Sequence, residues 1–204
     1  MKGIVPYKTA TGRELKIEYN FNIISPEDVP TDKETFSQAC KDGCKNYNKK
    51  WSCPPCSPDF KKMKHKKYLL LFLLKINGKD FSDCDEWMKV KAINAILKPK
   101  VDKIAKSIEH KFNGYAYISG ACRICKECAK KTNDPCKYPS KLRYSLEAVG
   151  IDCNKLIENA LNMKFCWYKK NEPYEYGAVI GGVELDDKIG SSKIENMILN
   201  LIKV

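Results

Sequence analysis

Tyr68-Leu69-Leu70-Leu71-Phe72-Leu73-Leu74-Lys75-Ile76-Asn77-Gly78 is the stretch on which the fold turns. Its purely apolar run, Tyr68 to Leu74, is seven residues long, against the about 20 that a bilayer span needs, so it belongs inside a core. Consecutive leucines leave no polar face and Asn77-Gly78 supplies a turn signal, which together indicate a buried strand from Tyr68 to Ile76. Beyond it, Val90, Ile93, Leu97, Val101, Ile104 and Ile108 recur at three- and four-residue steps, the stripe of a long amphipathic helix with a kink or break expected at Pro99. Gly114 ends that region, and Tyr115 to Ser119 reads as a second buried strand. Asp152 is placed to cap a helix running to about Met163, with Leu156, Ile157, Ala160 and Leu161 on its apolar face. Gly177 to Leu185 reads as a third buried strand, and Ser192 with Glu195 forms a capping box ahead of a last helix carrying Ile194, Met197, Ile198, Leu201 and Ile202.

On the other side of the leucine-rich stretch the pattern is weaker. Pro6, Pro26 and Pro30 interrupt residues 1–35, which are expected to form an extended N-terminal arm with one short strand at Leu15 to Tyr19. Thr31 to Lys41 is a candidate helix carrying Phe36, Ala39 and Cys40 inward, with Thr31 and Glu34 at capping-box spacing. Strands alternating with helices give an α/β fold, an α+β sandwich: residues 36–204 form a single domain, a small mixed sheet covered by helices, with two cysteine-rich metal-binding loops.

Eight of the 11 cysteines fall in those loops. The second group is Cys122-Arg-Ile-Cys125-Lys-Glu-Cys128, then seven residues, then Cys136. Three cysteines at successive two-residue gaps deliver thiolates to different irons of one cluster, whereas a tetrahedral zinc site usually draws on separated pairs. The triplet resembles the bacterial ferredoxin run, but departs from it in the seven-residue gap before Cys136 and in Lys137-Tyr138 standing between Cys136 and Pro139. Cys136 closes the same cluster, binds a second one, or leaves an iron open. The first group, Cys40-x3-Cys44-x8-Cys53-Pro-Pro-Cys56, suits zinc or a cluster equally, and its Trp51-Ser-Cys53-Pro-Pro-Cys56 segment resembles a thioredoxin-type redox motif without the strand before it and the helix after it that such a motif needs.

Taken together, Cys40-x3-Cys44-x8-Cys53-Pro-Pro, Cys122-x2-Cys125-x2-Cys128-x7-Cys136-x2-Pro139 and Arg143-x-Ser145-x-Glu147-Ala148-x-Gly150-Ile151-Asp152 resemble a prokaryotic family of predicted metal-binding, cysteine-rich proteins of unknown function. The resemblance implies metal binding and a prokaryotic cytoplasm, and names no substrate.

The chain offers no h-region or small-residue cleavage site near Met1, so thiols held reduced in a cytoplasmic setting are expected, with no membrane segment. The formal charge of +12 falls to about +8 if eight thiolates hold two zinc ions or two four-iron clusters. Lysines are spread along the whole chain and no nucleic-acid motif accompanies them, so nucleic acid is a weak candidate partner. Cys84, Cys153 and Cys166 read as small buried residues, with Cys153 placed to approach the second group. His65, among lysines, reads as solvated, and His110 as a helix-end residue. There is no phosphate loop, dinucleotide fingerprint or nucleophile elbow. Arg143, Ser145 and Glu147 are the candidate catalytic residues: Arg143 and Glu147 pair on a short helix that Ser145 caps, or Arg143 and Ser145 donate to cluster sulfurs or a bound anion while Glu147 handles a proton. Tyr47, Lys50 and Trp51 are placed to shield the first site.

The expected function is that of a cytoplasmic iron–sulfur protein with two 4Fe–4S clusters, acting in electron transfer or a cluster-dependent redox reaction, with an acidic redox carrier or partner enzyme. The alternatives are a zinc-stabilised binding module contacting nucleic acid or an acidic protein, and a cluster enzyme whose open iron activates sulfur or a small-molecule substrate.

Overall fold

The computed structural model describes residues 1–203. Its frame is a five-stranded sheet in the order β1-β2-β3-β5-β4, formed by β1 (Lys2–Lys8), β2 (Glu14–Ile24), β3 (Tyr68–Asn77), β4 (Tyr115–Tyr117) and β5 (Tyr176–Leu185). The α/β reading holds, but the sheet expected to be mixed is antiparallel in all four of its pairings. β3 is the central strand, buried from Leu69 to Leu74, and it has no polar face because both of its faces are covered.

Helices α2 (Glu86–Phe112) and α4 (Ser191–Lys203) cover one face, where Leu70, Phe72, Leu74 and Ile76 meet Ile93, Leu97, Val101, Ile104, Ile194 and Ile198. Helix α3 (Cys153–Leu161) covers part of the other, placing Leu156, Ile157 and Leu161 against Leu69, Leu71, Leu73 and Ile180. Alternate residues of β3 thus feed two separate cores. α2 continues through Pro99, the site of the expected kink or break, and Asn113 closes it in the left-handed conformation at φ 50°. Gly181 lets α2 approach the sheet: a Cβ there would stand 2.7 Å from Val101 and 2.9 Å from Phe72.

The N-terminal arm expected over residues 1–35 is instead an antiparallel β1–β2 hairpin, with β2 paired to β3 over eight register positions. Leu15, Ile17, Tyr19 and Phe21 point inward on alternate residues, and charged or polar residues between them conceal that period. Helix α1 (Lys33–Gly43) starts two residues later than expected, because Asp32 and not Thr31 accepts from Thr35 N at 3.0 Å. It buries no residue, and Ala39, expected inward, is exposed. No described helix is long and apolar enough to cross a membrane.

Candidate metal centre

The first cysteine group begins on α1. Cys40 lies in its last turn and Cys44 at its C-cap, one helical turn apart, with Cys44 N donating to the Cys40 carbonyl at 3.0 Å. A run of turns follows: Asn48 N donates to Pro54 O at 2.9 Å, and the Cys53 carbonyl accepts from Cys56 N and Ser57 N at 2.9 and 3.1 Å. Cys53 is buried, Cys40 and Cys56 are half-buried, and Cys44 is exposed. Burial pushes the Cys40 and Cys53 thiols up; neighbouring cysteines add to this in both, and the Ser52 hydroxyl opposes it at Cys53. A metal binding here must therefore displace protons. Neither a strand before Cys53 nor a helix directly after Cys56 is present, so a thioredoxin-type setting is not built.

This group is backed by residues from far along the chain. Thr31 bridges Ile151, Asp32 N donates to Gly150 O at 2.7 Å, and Asp152 N donates to Pro30 O at 2.9 Å. The clasp brings the helix start so close that a Cβ on Gly150, which sits at φ 91°, would stand 2.6 Å from the Lys33 Cα. The Lys33 ammonium donates to Ser57 Oγ at 2.9 Å and to Ala148 O at 2.6 Å, and burial lowers its pKa. Glu147 contributes its negative charge to both Cys40 and the fully buried Cys153. Cys153, expected to approach the second group, directly follows the Ile151–Asp152 segment that clasps the start of α1.

The second group occupies the excursion between Ile118 and Tyr144, whose ends are tied by Ile118 N donating to Tyr144 O at 2.9 Å. Asp102 of α2 anchors its start, accepting from Ser119 N and Oγ at 2.7 and 2.8 Å and pairing with Arg123. Cys122, Cys125, Cys128 and Cys136, all half-buried, line one hollow together with Trp51, Ser52 and Tyr138. The chain gathers on one space the four cysteines that the spacing groups together. Among the described residues, no three His, Cys, Asp or Glu side chains converge closely enough to hold one metal ion.

The two groups adjoin. Lys50 donates to the Cys122 carbonyl at 2.9 Å, Ser52 Oγ accepts from Cys122 N at 2.9 Å, and Trp51 Nε1 donates to Asp134 O at 2.9 Å. Ser52 Oγ also stands 3.8 Å from Cys53 Sγ, so one hydroxyl reaches both groups. Burial raises the Tyr144 phenol first, and the charges of Cys136 and Cys56 raise it further. Lys50 and Trp51, expected to shield the first site, are braces and wall of the second.

The remaining candidates fall elsewhere. Arg143 shares a shallow crevice with Cys122, but its Nε donates to Glu109 at 2.5 Å and its Nη1 to the Ser140 and Leu142 carbonyls, so the expected pair with Glu147 is absent. The buried Ser145 hydroxyl accepts from Ala148 N at 3.3 Å and caps a turn. Of the three candidates, Glu147 acts by its charge on Cys40 of the first group, Arg143 borders Cys122 of the second, and Ser145 meets neither. His65, expected in solvent, is half-buried, with Nδ1 2.8 Å from Glu184 Oε1 and Nε2 2.7 Å from Phe60 O. Tyr117 donates to the same buried Glu184 at 2.6 Å. Cys84 and Cys166 pack against the first core as small apolar residues.

A model of one protein family, described as predicted metal-binding protein (DUF2284), matches residues 22–181, a span containing all eight cysteines of both groups. No curated protein and no solved structure matches the chain.

Proposed function

The chain belongs to this family of predicted metal-binding proteins, and from that premise we propose that it is an iron–sulfur protein holding two 4Fe–4S clusters and moving single electrons. Cys40, Cys44, Cys53 and Cys56 would hold one cluster, and Cys122, Cys125, Cys128 and Cys136 the other. One-electron redox chemistry is what such clusters supply when bound. The observation that carries the reading is the hollow ringed by all four cysteines of the second group. A single tetrahedral zinc, at about 2.3 Å per bond, requires its sulfurs about 3.8 Å apart, whereas a cubane spreads its thiolates over separate irons. The all-thiolate donor set fits clusters, and both histidines lie outside it.

The protein's own residues account for the rest. Lys33 and Lys50 place ammonium groups beside the cysteine loops and offset the negative charge that four thiolates bring to each site. The bonds of Lys50, Trp51 and Ser52 to the second loop, with Ser52 next to Cys53, make the two loops neighbours, as transfer of an electron between them would require.

Protein purified without oxygen should be brown, with about eight irons and eight sulfides per chain and Mössbauer spectra of four-iron clusters. A colourless protein with two zinc ions would overturn this reading in favour of a zinc-stabilised module. Cys136→Ser decides the remaining alternative: a second cluster that keeps four irons and its spectrum without that thiol has an open iron fit for activating a small substrate.

A further inference from the structure

Lysine is spread through the sequence, but net charge is not. Residues 40–67 carry nine lysines against two aspartates, and residues 122–143 carry seven lysines and arginines against two acids. The rest of the chain balances at 21 basic and 21 acidic residues. The entire +12 therefore resides on the two cysteine loops and their flanks.

Around the second group this charge is free to meet a partner. Lys126, Lys137 and Lys141 are exposed, and among the described residues none forms an ion pair. Lys45 and Lys49, on the adjoining loop, are likewise exposed and without a carboxylate partner among the described residues. In the same segment stand two exposed apolar side chains, Ile124 at 39% and Tyr138 at 47%; both line the hollow of the four cysteines, and the Lys141 ammonium lies 5.9 Å from the centre of the Tyr138 ring. An apolar centre with a charged surround is the anatomy of an interface that is steered electrostatically and seated by burial.

We infer that this surface docks a small acidic protein that carries one electron on a group near its own surface, an assignment that rests on the cluster reading above. Charge complementarity selects an anionic partner. The apolar centre and its position over the second cysteine group favour a protein electron carrier over nucleic acid, whose backbone would be met by cations alone. Once docked, the carrier would give up one electron to a cluster held by Cys122, Cys125, Cys128 and Cys136, an exchange that would form or break no bond and move no proton. On this route the second group would be reached before the first, beside which Lys33 and Glu147 stand.

The test titrates the iron-loaded protein with flavodoxin, an acidic one-electron carrier, by calorimetry at low and high salt, with a single-stranded oligonucleotide in parallel. Saturable binding is expected, weakened about tenfold by high salt and about tenfold by the triple variant K126E/K137E/K141E, whose iron content stays intact. I124S/Y138S should weaken it several-fold, and K2E/K16E/K91E, on β1, β2 and α2, should leave it unchanged. Absence of saturable binding overturns the proposal, as does an equal loss in the remote triple. Tighter binding of the oligonucleotide, lost in K126E/K137E/K141E, overturns it in favour of a nucleic-acid surface. Zinc-loaded protein separates the two readings: binding without iron supports the docking surface while the clusters fall, and iron with sulfide but no binding does the reverse.

Discussion

Around β3 the chain is ordered by apolar contact. Leu69 to Leu74 are at most 1% exposed, α2 and α4 close one face, and α3 closes much of the other. Around the cysteines it is ordered differently. Residues 40–57 and 119–143 bury only Ser52, Cys53, Pro54, Ser57, Ser119 and Ala129, none of them large and apolar. They hold one another by single contacts such as Lys50 to Cys122 and Trp51 to Asp134. A surface segment with no core of its own relies on cross-links, and metal–thiolate bonds are the cross-links these loops can make. The frame is therefore expected to stand without metal, and the loops to depend on it.

The most forceful attempt to break this contrast is Leu97→Ala. Leu97 is fully buried between α2 and the sheet, so the substitution should cost about 3 kcal/mol in urea unfolding. Metal content per folded molecule should not change; a parallel loss of metal would mean that frame and loops are one cooperative unit. Next in size is removal of the metal by a chelator. Hydrogen exchange should accelerate in 40–57 and 119–143 while β3 and β5 keep their protection, and loss of protection in β3 would contradict the division. Ser52→Ala probes the seam between the groups: it strips the acceptor from Cys122 N, costs about 1 kcal/mol, and should speed metal release from the second group several-fold in a chelator competition. Unchanged release would show that the seam carries no load.

The smallest effect belongs to the frame alone. Burial, and then the Glu195 carboxylate 2.6 Å from its hydroxyl, push the Tyr19 phenol up to about 12. The folded state thus favours the neutral phenol over an unfolded chain that ionises near about pH 10. That contribution is complete below about pH 10 and disappears as pH rises through about 12. Tyr19→Phe should flatten the stability profile in that window, and an unaltered slope in the variant would assign it to other groups.

What could be read from residues follows the same division. β3, β5, α2 and α4 were legible because each buries a periodic or continuous apolar set within a short window. β1 and β2 were less so: Pro6 and the polar residues between Leu15, Ile17, Tyr19 and Phe21 blur a period that was present in the sequence. The gathering of Cys122, Cys125, Cys128 and Cys136 on one hollow was legible because their spacing is local. The surroundings of the cysteines were not, since Glu147 comes within reach of Cys40 through the clasp of Thr31 with Ile151. Arg143 chose Glu109, 34 residues away, over the nearby Glu147. Nothing local encodes such a choice.

The clasp also places the first cysteine group on a timetable. Lys33 and its acceptor Ala148 are 115 residues apart, so a ribosome that has just added Lys33 must add that length before the group's backing exists. At roughly 5–20 residues per second the delay is on the order of ten seconds, during which Cys40, Cys44, Cys53 and Cys56 are free thiols on a nascent chain. Whatever delivers metal to this protein meets the first group early and unsupported, and its finished form only late in synthesis.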